Sequence, residues 1–126
     1  MTDTRAEGLE VFKDLMPGVI PDVPSLRDGG FAQELAELSV DHVFGSLWTR
    51  PGLDRRSRSL VTLGALIAMR AKDELRFHMP IALRNGLTIE EIEEVVYHMA
   101  GYVGFPAAAT ARNVGREVLP TPQATT

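Results

Sequence analysis

The chain has 126 residues, contains no cysteine and carries a formal net charge of −4. This length suits one domain, and a domain of this size often gains stability by oligomerising. The absence of cysteine excludes disulfides, zinc–thiolate sites and thiol nucleophiles. The acidic balance argues against a nucleic-acid partner, because phosphate binding needs a clustered basic face.

The sequence predicts neither a membrane span nor a secretion signal. No segment reaches the roughly 20 apolar residues that span a bilayer, so no membrane partner is predicted. The first residues, MTDTR, lack the basic and apolar regions of a secretion signal. The sequence therefore predicts a cytoplasmic protein.

Helical periodicity dominates the first 54 residues. Leu9, Phe12 and Leu15 mark a first helix that ends near the Pro-Gly pair at 17–18. An extended connector follows at 19–24. A second helix is predicted to begin after Asp28 and to end near Gly45. Its apolar face would carry Phe31, Leu35, Leu38 and His42. Residues 46–51 read as a turn or a single helical coil.

Four more helices are predicted in the remaining sequence. The third begins after Asp54 as N-cap and is apolar on so much of its circumference that we expect it to be central. Its stripe consists of Leu60, Leu63, Gly64 and Ile67, widened by Val61, Ala65 and Ala68. Asp73 is expected to cap the fourth helix, which runs to Asn85 with Gly86 as its C′ residue, and Pro80 should bend it.

The last two helices have clear boundary signals. Thr88 and Glu91 have the spacing of a capping box. The helix that they open is broken at 104–106, where Pro106 suits the first turn of a last helix. With no alternating pattern for a strand, the sequence predicts an all-α domain over residues 1–119. Residues 120–126 are predicted to be a disordered tail.

Glu74 and His78 are the most informative polar pair. They lie four residues apart on one helix and therefore share a face. A carboxylate beside an imidazole can orient the ring, select its tautomer and favour its charged form, which suits proton transfer. The alternative is an ordinary pair on a helix surface.

The other two histidines favour structural interpretations. His42 lies on the predicted apolar face and reads as a core histidine, and His98 reads as part of a solvated or interface face. No His-Glu-x-x-His pattern occurs and no two histidines share a helix turn. No metal site is therefore predicted.

Trp48, Arg50 and Arg58 form a second candidate group. An indole gives a flat apolar wall, and guanidinium groups bind carboxylates in two-point geometry. Such a pocket would suit a small anionic organic acid. Equally, Trp48 could fill the core while the arginines decorate helix ends.

Several ordered landmarks resemble the carboxymuconolactone decarboxylase family. They cover the chain from about Phe31 to Leu119 without obvious gaps. The landmarks are DHVFGSLWTRPGLD at 41–54, RSRSLVT at 56–62, DEL at 73–75, His78, ALRNG at 82–86, TIEEI at 88–92 and YVGFPAA at 102–108. The resemblance implies the all-helical alkylhydroperoxidase D-like fold, with about six helices, in a ring-shaped homotrimer or homohexamer.

The same resemblance excludes one branch of the superfamily. The peroxidase branch uses a Cys-x-x-Cys pair on the helix that carries the histidine. If His78 matches that histidine, the cysteine positions fall at Ala71 and Glu74. Neither side chain is a thiol, so a thiol peroxidase is excluded.

The resemblance implies a cofactor-independent decarboxylase that acts on a small lactone or unsaturated organic acid. In that reading His78 donates the proton, Glu74 orients it, and Arg58 and Arg50 hold the carboxylate or the developing oxyanion. The remaining pocket residues would be Trp48, His42 and Tyr102. The alternatives are a lyase, isomerase or hydrolase for a related lactone in a biosynthetic pathway, and a non-catalytic module that binds small acids.

Overall fold

The computed structural model describes residues 3–17 and 26–120. Within these ranges the chain is helical and contains no strand, as predicted. No helix in the described ranges is long and apolar enough to cross a membrane. The α-helices are α1 (Thr4–Leu15), α2 (Leu35–Ser39), α3 (Arg55–Met69), α4 (Lys72–Arg84), α5 (Ile89–Val103) and α6 (Phe105–Val118).

The chain divides into two compact units, residues 1–54 and 55–126. The prediction of one domain over residues 1–119 stays a prediction. The predicted connector at 19–24 lies outside the described residues, and so does the predicted tail apart from Pro120.

In the first unit, α1 packs against a π-helical turn, Val40–Phe44, that continues α2. The Asp3 side chain accepts a hydrogen bond from the Ala6 N–H at 3.2 Å and so caps α1. The helix ends before Pro17, as predicted. The ring of Phe44 stands edge-on to Phe12, with the ring centroids 5.2 Å apart, in the apolar centre of this unit.

The second helix differs from the prediction in its start and in its buried face. It begins at Leu35 rather than directly after Asp28, because the Asp28 carboxylate accepts from the Gly30 N–H at 2.8 Å and Ala32 has a φ of 57°. Its buried side chains are Glu37, Val40 and Phe44. The predicted apolar face is instead exposed, namely Phe31, Leu35, Leu38 and His42.

In the second unit, α3 to α6 enclose an apolar core. Its buried members are Leu63, Ile67, Leu75, Met79, Ala82, Leu87, Ile92, Ala111 and Val114. The central position of α3 is confirmed, since it packs against each of the other three helices. Its buried stripe is narrower than predicted, because Val61, Ala65 and Ala68 are exposed.

Side-chain contacts define how α3, α4 and α5 run. The Asn85 side chain donates to Ser59 Oγ at 2.8 Å, so the start of α3 lies beside the end of α4 and these two helices are antiparallel. Arg56 forms an ion pair with Glu91, and Gly64 lies against Met99. Helices α3 and α5 are therefore parallel.

Most boundary signals in this unit are confirmed. Both hydrogen bonds of the Thr88–Glu91 capping box form, and Gly86 follows α4 with a φ of 99°. Asp73 does not cap α4. The helix starts one residue earlier, and Asp73 in its first turn accepts a hydrogen bond from Arg76. Pro80 lies inside an unbroken α4.

Candidate functional site

His78 lies on α4 beside the residues that face the core. Its neighbours Leu75, Met79 and Ala82 are almost fully buried, while the imidazole itself is half-buried. The Nδ1 atom is shielded from solvent. This burial lowers the pKa of His78 below its ordinary value of 6.5, because desolvation disfavours the charged ring. The neutral imidazole is therefore the main form at pH 7 in the free chain.

Glu74 lies one turn before His78 in the first turn of α4 and is exposed. The carboxylate was expected to favour the imidazolium, which would raise the pKa of His78. The pKa is lowered instead, and burial of the ring is the cause. Desolvation of the ring thus outweighs the effect expected of the Glu74 carboxylate on this pKa.

Arg58 and Tyr102 lie towards opposite ends of the second unit, measured along the axis of α3. Arg58 precedes Ser59, which bonds to Asn85 at the end of α4. His78 is seven residues before Asn85, which corresponds to about 10 Å along a helix axis. Tyr102 lies near the end of α5, three residues after the Met99 that contacts Gly64. Tyr102 and His78 therefore lie towards one end of α3 and Arg58 towards the other.

The exposure of these two side chains also differs. Arg58 is half-buried, whereas Tyr102 is 77% exposed. The phenol ring of Tyr102 lies against the imidazole of His98, with the ring centroids 4.9 Å apart. The second unit therefore presents an exposed imidazole–phenol pair in addition to His78.

The remaining candidates, His42, Trp48 and Arg50, belong to the first unit. Trp48 is only 7% exposed, and its ring stacks on Phe44 with the centroids 6.1 Å apart. The indole is therefore mostly buried, as in the core interpretation. His42, expected among core residues, is exposed on the π-helical turn, and Arg50 is exposed in the turn that follows.

Charged residues around the π-helical turn were not singled out by the sequence. Arg5 of α1 donates two hydrogen bonds to the Asp41 carboxylate, and Arg27 donates two to the buried carboxylate of Glu37. These hydrogen bonds hold the pKa of both acids below their ordinary values. No spacing rule predicts the pairs, since each joins residues that are ten or more positions apart.

A cavity of about 550 Å³ lies in the second unit, between α5 and α6. Apolar side chains form most of its lining, and Glu93, Tyr97, Arg112 and Arg116 contribute its polar groups. None of the seven candidate residues lines it. In the described part of the chain, no group of three or more His, Asp or Glu residues is placed to hold a metal ion.

Comparison with known proteins gives a family match over most of the helical region. The model of the carboxymuconolactone decarboxylase family matches residues 33–117. This range lies within the region from about Phe31 to Leu119 that carries the sequence landmarks. The match includes part of the first unit and most of the second.

Two relatives are similar to the chain over nearly its whole length. A 4-carboxymuconolactone decarboxylase of Acinetobacter baylyi is 36% identical over 114 residues, which cover 89% of this chain and 84% of the relative. A nitrosuccinic acid decarboxylase of Metarhizium robertsii is 37% identical over 113 residues, which cover 90% of this chain and 79% of the relative. The two relatives share a type of reaction and differ in the acid that they are named for.

Proposed function

This chain belongs to the carboxymuconolactone decarboxylase family, and we propose from this premise that it removes carbon dioxide from a small lactone acid or unsaturated organic acid. The observation that carries the proposal is the pair of relatives of almost equal similarity, both named as decarboxylases. The loss of carbon dioxide is what these names share. The chain is thus a carboxy-lyase, and the acid that serves as its substrate has to be identified by experiment.

The acids in the two names have one chemical feature in common. In 4-carboxymuconolactone, a ring double bond connects the carbon that bears the departing carboxylate to the lactone carbonyl. In nitrosuccinic acid, a nitro group is attached to the carbon next to a carboxylate. Each acid therefore contains its own acceptor for the electron pair. A decarboxylase for acids of this kind needs no cofactor.

The proposed step breaks the bond between the substrate carbon and its carboxylate. Carbon dioxide leaves, and the electron pair moves through the conjugated system onto the acceptor oxygen. A proton is then delivered to carbon, which gives the decarboxylated product. The protein must stabilise the developing oxyanion and supply this proton.

His78 is the proposed proton donor. Because burial lowers its pKa, its imidazolium is a stronger acid than an exposed one, although less populated at pH 7. An anionic substrate beside the ring raises the pKa again by charge attraction. Substrate binding would therefore favour protonation of His78, and the imidazolium would then donate this proton to the product carbon.

The roles of the other candidates rest on the family resemblance, since within one chain Arg58 and Tyr102 lie towards opposite ends of α3. Glu74 would orient His78, and Arg58 and Arg50 would hold the carboxylate or the oxyanion. His42, Trp48 and Tyr102 would line the pocket around the small anionic acid. A homotrimer or homohexamer and a cytoplasmic location complete the proposal.

The experiment compares His78→Gln with the parent on 4-carboxymuconolactone and on nitrosuccinic acid, by measuring release of carbon dioxide. We expect the substitution to lower kcat/KM by about a hundredfold or more, as is typical for a positioned acid–base group. Arg70→Gln, which changes an exposed side chain outside the seven candidate residues, serves as the control. Activity of His78→Gln within a few-fold of the parent would exclude His78 from the mechanism.

The pH profile tests the same assignment independently. If the imidazolium donates the proton, kcat/KM falls as pH rises, with a midpoint below the ordinary pKa of 6.5. The midpoint for kcat lies at higher pH, since the bound anion raises the pKa of the ring. A rate that rises through this pH range would instead make His78 a base and would contradict the proposal.

A further inference from the structure

The cavity between α5 and α6 has no part in the proposed decarboxylation. Its volume of about 550 Å³ lies within the range of small-molecule sites. Met79 of α4 lines it and His78 does not. Because successive residues of an α-helix point about 100° apart, the cavity lies on a different flank of α4 from the imidazole.

The charge of the cavity is opposite to that of the chain. Its lining contains Arg112, Arg116 and Glu93, so two positive charges and one negative charge give a net charge of +1, whereas the chain carries −4. The Arg112 guanidinium donates to the side-chain oxygen of Asn113, a neutral group that leaves its charge uncompensated. Arg116 forms no hydrogen bond or ion pair with another residue of the ranges 3–17 and 26–120.

We propose that this cavity binds a small organic anion with an apolar body. Arg112 and Arg116 are four residues apart on α6 and therefore share a face, so both guanidinium groups can contact one carboxylate or sulfonate. The apolar body would lie between α5 and α6. Its contacts there would be Ile92, Val96, Ala100, Ala108 and Leu119.

The lining of the cavity suits a small acid, because a mostly apolar surface carries two guanidinium groups on one helix face and its volume lies within the range of ligand sites. A compact ring system with one acidic group fits the space and also its charge.

The test uses two fluorescent probes and the full chain. 8-Anilinonaphthalene-1-sulfonate is anionic, and N-phenyl-1-naphthylamine carries the same rings without the sulfonate. We expect the anionic probe to bind one site per chain, and the double substitution Arg112→Gln/Arg116→Gln to weaken it by about tenfold or more. The neutral probe should change by less than about twofold, since its apolar contacts remain.

The matched control is Arg70→Gln/Lys72→Gln, which removes two positive charges from exposed residues outside the cavity. It should leave the affinity for the anionic probe unchanged. Equal weakening by the control, or no weakening by Arg112→Gln/Arg116→Gln, would overturn the proposal. Sedimentation of the same samples adds one more decisive outcome: an assembly that excludes the probe and dissociates in Arg112→Gln/Arg116→Gln would assign the cavity to a second copy of the chain.

Discussion

The two units of the chain both bury apolar side chains but differ in the polar group that each buries among them. Around the π-helical turn, the first unit buries the carboxylate of Glu37 and satisfies it with an arginine from another segment. The core of α3 to α6 is apolar, and its buried Ser59 is bonded by Asn85. Hydrophobic periodicity therefore describes the second unit well, whereas the first also contains ion pairs between distant segments and close backbone contacts.

Glycine substitutions should give the largest difference in stability effect between the two units. A Cβ at Gly8 would overlap the Val40 carbonyl oxygen, where α1 meets the π-helical turn. We expect Gly8→Ala to lower the free energy of unfolding by about 1–3 kcal/mol, the usual cost of overpacking. The control is Gly64→Ala, where the new Cβ would lie 3.6 Å from Met99 Sδ, an ordinary contact.

In that control, alanine should stabilise α3 by about 0.5–1 kcal/mol, because it replaces a flexible residue in a helix interior. Urea denaturation of both variants measures the contrast. The comparison between the units fails if both glycine substitutions change stability in the same direction.

Loss of the hydrogen bond between Asn85 and Ser59 in the second unit should have the next largest effect on stability. Asn85→Ala removes the donor to the buried hydroxyl of Ser59, which costs about 1–3 kcal/mol when an acceptor is left without a partner. The double variant Ser59→Ala/Asn85→Ala should recover part of this loss, since the buried hydroxyl is then gone. A double-mutant cycle that shows no coupling would contradict the role given to this hydrogen bond.

Helix capping in the second unit gives a smaller prediction. Thr88→Ala removes the side-chain acceptor for the Glu91 N–H and should cost about 1 kcal/mol. Thr88→Ser keeps the acceptor and should remain close to the parent. Thermal unfolding of the two variants measures the difference, and identical midpoints would show that the cap does not limit stability.

The smallest effect is expected from the ion pairs of the first unit at neutral pH, because Arg27 is half exposed to solvent. The pKa of Glu37 is lowered in the folded chain, mainly by the hydrogen bonds from Arg27. Its contribution to stability is present above the ordinary carboxyl pKa and is lost as pH falls through the lowered value. Glu37→Gln should thus flatten the loss of stability in acid.

Guanidine is unsuitable for that measurement because its salt screens ion pairs, so urea is the appropriate denaturant. An acid profile of Glu37→Gln that matches the parent would remove this carboxylate from the description of the first unit.

The difference between the two units explains which parts of the fold could be predicted from the sequence. In α5, the apolar period and the Thr88–Glu91 signature agree, and its start is confirmed. In α2, the same periodicity selected the wrong face, because nothing in the spacing shows that Arg27 neutralises Glu37 or that glycines at 8 and 45 admit a close backbone approach. Hydrophobic patterns describe local faces, whereas such pairs depend on tertiary structure.

The roles of the candidate site residues stay predictions, and the structure adds an electrostatic feature that the sequence does not show. The type and position of His78 follow from the sequence, but the lowered pKa depends on how deeply the ring is buried. The cavity at Arg112 and Arg116 gave no sequence signal. From the sequence alone, two arginines on one helix face indicate an ordinary solvated surface. The cavity becomes visible only in the tertiary structure, where α5 packs beside α6.

Gly104 is the entire connection between α5 and α6, with a φ of 96° and its N–H bonded to the Ala100 carbonyl. A linker of one residue contains no slack, so neither wall of the cavity can be displaced by lengthening a loop. A β-carbon at this backbone angle is strained whatever room surrounds it. A larger ligand would therefore have to be accommodated by rotamer changes of the lining side chains. The backbone conformation of Gly104 thus limits how far α5 and α6 can move apart on either side of the cavity.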